Sequence, residues 1–115
     1  MNITGTWSYT EDFEFGKSIG KAELKQMGDN VTGIFSFTEE VENEYKINVT
    51  ESVKGRISGG EMLLKSTKVT AMHNQNEVNY LPNSFHVHLV SENMLVGSTY
   101  DSENVCGVFV MERER

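Results

Sequence analysis

Apolar and polar residues alternate with a period of two along most of this chain. The alternation is clearest at residues 45–57, where the apolar positions are Tyr45, Ile47, Val49, Val53 and Ile57. A period of two places one face of an extended strand against a core, whereas a helix repeats about every 3.6 residues. Since no stretch of the sequence carries the helical period, we predict an all-β fold.

Short turn signals divide the alternating runs into eight predicted strands. The turns are marked by Gly-Asp-Asn, Gly-Gly and two copies of Ser-Glu-Asn. The first strand begins at Ile3, and the others occupy residues 21–27, 31–38, 45–57, 61–69, 84–90, 94–101 and 105–113. Eight consecutive strands form an antiparallel meander, and closing it removes its exposed edges. We therefore predict an eight-stranded antiparallel up-and-down β-barrel.

Three stretches depart from simple alternation. Phe13 and Phe15 continue the odd-numbered pattern of the first strand, which indicates either one long bent strand or a strand followed by a loop. Gly16 and Gly20 favour a loop over residues 16–20, with Phe13 and Phe15 folded over the barrel mouth. The glutamates between residues 39 and 44 lack the Asp and Asn ladder of a calcium loop and predict a solvated hairpin tip. Residues 70–83 form either the tip of a long hairpin or an irregular lid.

The two ends of the chain carry a matching pair of motifs. Gly5 and Trp7 are separated by one residue in the first strand, and Gly107, Phe109 and Arg113 share one face of the last strand. An arginine over an indole ring gains cation–π attraction and packing of its stem. This arrangement resembles the lipocalin-like and avidin-like (calycin) barrels, in which a late arginine covers the tryptophan of Gly-x-Trp. The resemblance implies a barrel closed by Trp7 and Arg113.

Length and charge limit the classes of protein. A chain of 115 residues, 37% of them hydrophobic, predicts one folded domain over residues 1–115. The formal charge of -7 repels phosphate backbones, so no nucleic-acid partner is expected. No apolar run approaches the roughly 20 residues of a membrane span. The start lacks the regions of a signal peptide, which predicts a soluble, cytoplasmic protein as written, or a periplasmic or secreted one if such a peptide has been removed. Oligomeric state stays open, including a dimer.

Polar residues mark a candidate ligand pocket. An eight-stranded barrel holds either a side-chain core or one small ligand. The residues predicted to line such a pocket are Tyr9, Gln26, Ser36, Tyr45 and Tyr100. Glu51 lies on the apolar face of its strand, so it is either paired structurally, for instance by Arg113 or a tyrosine, or kept for a ligand. One tryptophan is too few for a biotin site, and the chain is short for a haem barrel with His73 as ligand, so no cofactor is expected.

His86 and His88 lie on the same face of one predicted strand, at a separation suited to sharing a metal, with His73 as a candidate third ligand. Phe85, Val87 and Leu89 take the core face, however. The histidines are therefore predicted to point outward without a metal. Cys106, the single cysteine, is predicted to be a small apolar filler in the last strand.

The function predicted from these features is non-catalytic binding of a small apolar or amphipathic ligand in the barrel. One alternative is a protein–protein interaction module, such as an inhibitor, immunity or assembly factor, whose barrel is filled by its own side chains. Another is a small lipocalin-like isomerase or hydrolase that uses Glu51 with a histidine. No catalytic residue is assigned, because the sequence lacks a nucleophile elbow, a phosphate loop and a dinucleotide fingerprint.

Overall fold

The structure, a computed structural model, describes residues 1–104 and 106–114. Within these residues the chain forms nine β-strands and no helix, which confirms the predicted all-β class. The strands are β1 Gly5–Phe13, β2 Gly16–Met27, β3 Asn30–Val41, β4 Tyr45–Ser58, β5 Glu61–His73, β6 Asn76–Val78, β7 Ser84–Ser91, β8 Met94–Tyr100 and β9 Cys106–Arg113. Val105, where the last strand was predicted to begin, lies outside the described residues. In the part of the chain that the structure describes, nothing has the length and apolarity of a membrane-crossing helix.

All nine strands pair antiparallel in one sheet, in the order β4-β3-β2-β1-β9-β8-β7-β5-β6. β4 also pairs with β5, so the sheet closes into a tube. Eight strands form the wall of this tube, and each is paired with its neighbour on either side around the barrel. β6 is a short addition that pairs with the end of β5. The predicted eight-stranded up-and-down barrel is confirmed.

The first hairpin is tighter than predicted, because residues 16–20 belong to β2 instead of a loop. Gly16 pairs with Phe13, and Gly20 pairs with Tyr9. A Cβ atom at Gly20 would lie 2.0 Å from the backbone oxygen of Ser36 on the neighbouring strand. The glycine is therefore needed for close approach of two strands, and not for a turn.

The acidic run and the segment over residues 70–83 also differ in detail from the prediction. β3 extends to Val41, so only Glu42 and Glu44 lie in the turn that follows it. β5 extends to His73, turns at Asn74 with a φ of 58°, and returns as β6. An irregular segment over residues 79–83 comes next. Residues 70–83 thus contain both a hairpin tip and an irregular connection.

A β-bulge in β5 changes which of its residues face inward. Ser52 of β4 pairs with Lys68, but the next residue, Val53, pairs with Ser66, so Thr67 is an extra residue. Before the bulge the buried positions are even-numbered, at Met62 and Leu64, and after it the buried position is Ala71. The sequence alone could not assign these faces because the alternation changes parity within the strand.

Aromatic side chains fill the middle of the barrel. Phe35 and Phe85 stack with ring centres 4.4 Å apart, and Tyr9 meets them edge-on at 5.2 and 6.3 Å. Phe109 packs against Tyr9 at 5.5 Å. Burial of each such ring stabilises the fold by about 1.5–3 kcal/mol. The middle of the barrel is therefore a packed core.

One end of the barrel, called the sealed end, is covered by the N-terminal segment. Trp7 donates its indole N–H to the carbonyl oxygen of the buried Ile3 at 2.9 Å. The guanidinium of Arg113 lies 4.5 Å from the centre of the Trp7 ring. It donates hydrogen bonds, each 2.8 Å long, to the carbonyl oxygens of Asn2, Thr4 and Glu92. Arg113 therefore joins the N-terminal segment and the β7–β8 turn to β9.

We expect Trp7 and Arg113 to stabilise the fold cooperatively. Trp7→Ala should lower the free energy of unfolding by about 3–5 kcal/mol, through loss of a large buried side chain. Arg113→Ala should lower it by about 1–3 kcal/mol, through loss of its hydrogen bonds. Since the two side chains touch, the double variant should lose roughly 0.5–1.5 kcal/mol less than the sum in urea denaturation.

The matched control for this cycle is Arg56→Ala. Arg56 is exposed, and its guanidinium lies 3.9 Å from the Asp29 carboxylate. Its loss should cost less than about 0.5 kcal/mol and should add to the effect of Trp7→Ala. Simple additivity of the Trp7 and Arg113 substitutions would contradict their coupling.

Candidate binding site at the open end of the barrel

The end of the barrel opposite Trp7 and Arg113 is open. A cavity of about 470 Å³ lies there, within the range of about 300–1,000 Å³ usual for small-molecule sites. Its apolar lining is Phe13, Tyr45, Ile47, Val78, Tyr80 and Leu81, and its polar lining includes Glu11, Glu39, His73, Asn83, Thr99 and Asp101. The cavity thus combines an apolar wall with several hydrogen-bonding groups.

Glu11 is a buried carboxyl group at the inner limit of this cavity, 9% exposed. Its Oε1 accepts a hydrogen bond from the Tyr9 hydroxyl at 2.5 Å, and its Oε2 accepts one from the Thr99 hydroxyl at 2.6 Å. Burial raises the pKa of the Glu11 carboxyl, and the two hydrogen bonds partly oppose that rise. Burial, with the nearby carboxyl group, also raises the pKa of Tyr9.

Gly107 provides the space that Glu11 occupies. A Cβ atom at position 107 would lie 2.1 Å from Oε2 of Glu11 and 3.0 Å from its Cγ. Contacts this short do not occur, so any side chain at 107 would push the carboxyl group away from Thr99. The position of the Glu11 carboxyl group therefore depends on Tyr9 of β1, Thr99 of β8 and Gly107 of β9.

Glu51 faces the interior, as its parity predicts, and is fully buried. Its two oxygens accept hydrogen bonds from the backbone N–H of Asn83 at 2.7 Å and from its side-chain Nδ2 at 3.1 Å. Burial raises the pKa of Glu51, and these hydrogen bonds partly offset the rise. The partner is thus Asn83, and not Arg113 or a tyrosine as the sequence analysis suggested. Glu51 holds the irregular segment over residues 79–83 against β4.

Glu39 joins the same segment to the barrel rim. It accepts hydrogen bonds from the hydroxyl groups of Tyr45 at 2.8 Å and Tyr80 at 2.7 Å. Tyr80 in turn accepts a hydrogen bond from Asn83 Nδ2 at 3.4 Å. Burial raises the pKa of both phenols, and Glu39 raises it further. The rim is therefore a connected network of carboxylate, phenol and amide groups.

The structure brings three of the predicted ligand-binding residues to this end of the barrel. Tyr45 lines the cavity itself. Tyr9 and Glu51 lie in the buried layer, where their partners Glu11 and Asn83 line the cavity. Tyr9 and Glu51 therefore contribute to its shape through those partners.

The other predicted positions lie elsewhere. Gln26 is at the sealed end, where its Oε1 accepts a hydrogen bond from the Ile3 N–H at 3.0 Å. Tyr100 and Ser36 are exposed, and neither is among the described lining residues. His86 and His88 lie on the outer wall, away from the cavity.

Cys106 is not the core filler that the sequence analysis expected. It is exposed and lies at the rim of the cavity. The reason is that Gly107, Phe109 and Met111 take the inward positions of β9.

Sequence reasoning did not select Glu11 or Asn83, and it named Gly107 only as part of the motif in the last strand. Glu11 shares the odd parity of Trp7 and Tyr9, so the same argument that selected Glu51 would have found it. The role of Asn83 beside Glu51 and that of Gly107 beside Glu11 carry no local signal, because both come from contacts with distant residues.

We expect Glu11→Gln to change how stability depends on pH. The folded-state pKa of Glu11 is raised, so its contribution is fully present below its ordinary pKa of 4.5 and is lost as pH rises through the folded value. The amide cannot ionise. Urea denaturation should therefore show Glu11→Gln gaining stability relative to the parent as pH rises above 4.5.

Glu23→Gln is the matched control, because Glu23 is exposed on β2 and the charge change is the same. The Glu11→Gln variant should keep part of the parent's dependence of stability on pH, since the pKa of Glu51 is raised in the same direction. A stability difference between Glu11→Gln and the parent that stays constant with pH would contradict the expectation.

We also expect the effect of Gly107→Ala to depend on Glu11. In the parent protein the added methyl group should lower the free energy of unfolding by about 1–3 kcal/mol, because it overlaps the Glu11 carboxyl group. In a Glu11→Ala background the same substitution should cost less than about 1 kcal/mol, since that overlap is gone. Equal costs in the two backgrounds, measured by urea denaturation, would show that Gly107 serves another purpose.

Comparison with known proteins finds no matching family model and no matching curated protein sequence. Solved structures do match. A redesigned β-barrel, mFAP1, bound to DFHBI, has a TM-score of 0.72 and 13% identity, over 96% of this chain and 94% of its own. The redesigned β-barrel mFAP0, also bound to DFHBI, has a TM-score of 0.70 and 13% identity, over 96% and 98%. A third barrel, from the de novo design of a fluorescence-activating β-barrel, has a TM-score of 0.67 and 10% identity, over 96% and 93%. At these identities the likeness shows the closed barrel fold.

Proposed function

We propose that this protein binds a small amphipathic molecule in the cavity at the open end, without transforming it. The observation that carries the proposal is the asymmetry of the barrel. One end is sealed, the middle is packed, and the remaining cavity of about 470 Å³ has an apolar wall around fixed polar groups. The mFAP1 and mFAP0 barrels, which were solved bound to DFHBI, support the proposal by analogy of fold.

We further propose that the chain is one lipocalin-like or avidin-like domain. The support for this is the resemblance at Gly5, Trp7 and Arg113, together with the contact between Trp7 and Arg113 at the sealed end. A barrel closed at one end and open at the other suits a container for one ligand.

The charge of the lining favours a ligand whose polar end is neutral or positive. Glu11, Glu39 and Asp101 line the cavity, and the described lining residues include no Lys or Arg. Each carboxylate oxygen of Glu11 and Glu39 accepts one hydrogen bond and has a second lone pair for a ligand donor. An anionic ligand would meet these carboxyl groups with no Lys or Arg in the described lining to compensate their charge. We infer an apolar body with an amine or another donor group.

Binding is favoured over the isomerase or hydrolase alternative by the position of Glu51. A general acid or base has to reach the proton that it transfers. Glu51 is fully buried, both of its oxygens accept hydrogen bonds from Asn83, and it is not among the described lining residues. The interaction-module alternative requires a filled barrel, and the cavity at the open end is evidence against it.

A solvent-sensitive dye tests the proposal. We expect dansyl linked to a short alkylamine to bind one site per chain, with rising fluorescence and saturation. Leu81→Asp places a charge in the apolar wall and should weaken binding at least about tenfold, or 1.4 kcal/mol. Val90→Asp is the matched control, because Val90 is an exposed aliphatic residue of β7 outside the cavity lining, and it should leave binding unchanged.

The ligand class has its own test. Dansyl linked to an alkylcarboxylate of the same length should bind more weakly than the amine, because of the carboxyl groups in the lining. Tighter binding of the carboxylate dye would contradict the ligand class. Equal binding to the parent and Leu81→Asp would contradict the site, with circular dichroism confirming that the variants are folded.

A further inference from the structure

Three ionisable side chains meet on the outer wall of the barrel. Glu61 in β5 lies directly opposite His88 in β7, and His86 is two residues from His88 on the same face. The side chains of Glu61, His86 and His88 are about half exposed, at 55%, 46% and 50%. This cluster lies outside the cavity lining, so it has no part in the proposed function.

The distances in this cluster are close to those around a bound metal ion. Oε1 of Glu61 lies 3.1 Å from Nδ1 of His88 and 3.6 Å from Nε2 of His86. The ring centres of the two histidines are 4.9 Å apart, and the three potential ligand atoms all lie within 4.8 Å of one another. Ligands at about 2.0–2.2 Å from a tetrahedral zinc ion are roughly 3.4 Å apart. Small rotations of these exposed side chains would bring all three to that separation.

The surroundings leave the three side chains available. Among the residues that the structure describes, no other hydrogen bond or ion pair holds Glu61, His86 or His88. Their backbones are fixed by strand pairing, which keeps the three Cβ atoms in place. On the other side of β7, the residues opposite His86 and His88 are Ser98 and Val96, neither of which is charged.

We propose that Glu61, His86 and His88 bind one divalent transition metal ion, such as Zn²⁺, Ni²⁺ or Cu²⁺. Two imidazoles and one carboxylate form a ligand set that suits these ions, and the carboxylate supplies compensating negative charge. The remaining coordination positions face water. The sequence analysis predicted these histidines to be without a metal and considered only His73 as a third ligand, and the structure places His73 at the cavity instead. Glu61 takes that place because β5 pairs with β7.

Calorimetric titration of chelator-treated, tag-free protein with Zn²⁺ tests the site. We expect one ion per chain, with binding at least about tenfold weaker in Glu61→Gln, in His86→Gln and in His88→Gln. His73→Gln is the matched control, because it removes the one other histidine of the chain and should leave Zn²⁺ affinity unchanged. The electron paramagnetic resonance spectrum of Cu²⁺ bound to the parent should show hyperfine coupling to two imidazole nitrogens. The spectrum of His88→Gln should show coupling to one.

Two results would overturn the proposal. One is the absence of saturable Zn²⁺ binding by the parent protein. The other is equal Zn²⁺ affinity in the parent and in the double variant His86→Gln/His88→Gln. Binding of the dansyl amine should be the same in the Glu61, His86 and His88 variants, which lie outside the cavity lining, so failure of the metal site and failure of the cavity are separate outcomes.

Discussion

Pairing between the first and the last strand decides which side chains meet inside this protein. β1 pairs with β9 from Trp7 opposite Arg113 to Phe13 opposite Gly107. That one ladder brings Arg113 to the tryptophan at one end of the barrel and gives Glu11 its space beside Gly107 near the other. It also leaves neither strand with an unpaired edge. A sheet with the same strands left open would have neither the sealed end nor the buried carboxyl group.

The two ends of the barrel satisfy their polar groups in opposite ways. At the sealed end a cation, Arg113, donates to three backbone carbonyl oxygens, and the N-terminal segment is fixed by it. At the open end three carboxyl groups, Glu11, Glu39 and Glu51, each accept two hydrogen bonds. Burial of carboxyl groups costs free energy even when they are hydrogen-bonded. Burial of Glu11 and Glu51 is therefore a cost to stability at the open end, which is what we expect if the proposed binding site lies there.

The alternation of apolar and polar residues, with the turn signals between the alternating runs, was enough to predict the class of fold and the number of strands in the barrel wall. It also indicates that Glu51 faces inward, because one face of each strand must be apolar. It did not predict the start of β2, since a glycine needed for close approach to the next strand has the same local signature as a glycine in a turn. Nor did it predict the bulge at Thr67, where one extra residue reverses the faces of β5.

The position of a residue along the barrel axis is a separate question from the side of the sheet on which it lies. Alternation states which side of the sheet a residue occupies, but not how far it lies from either end. Gln26 and Tyr45 were both predicted to line the ligand pocket, yet the two lie at opposite ends, because strand pairing sets the position of each residue along the barrel. The partners of the buried carboxyl groups, such as Asn83 and Gly107, depend on the same pairing between distant parts of the chain.

The hydrogen bond from Arg113 to the carbonyl oxygen of Asn2 also determines where the ends of the chain lie relative to the cavity. It holds both ends of the described chain at the sealed end, on the side away from the cavity. Any polypeptide joined to either terminus would leave the barrel from that side. A copy tethered by one terminus to a bead, a sensor surface or a fused domain would therefore present its cavity to the surrounding solution.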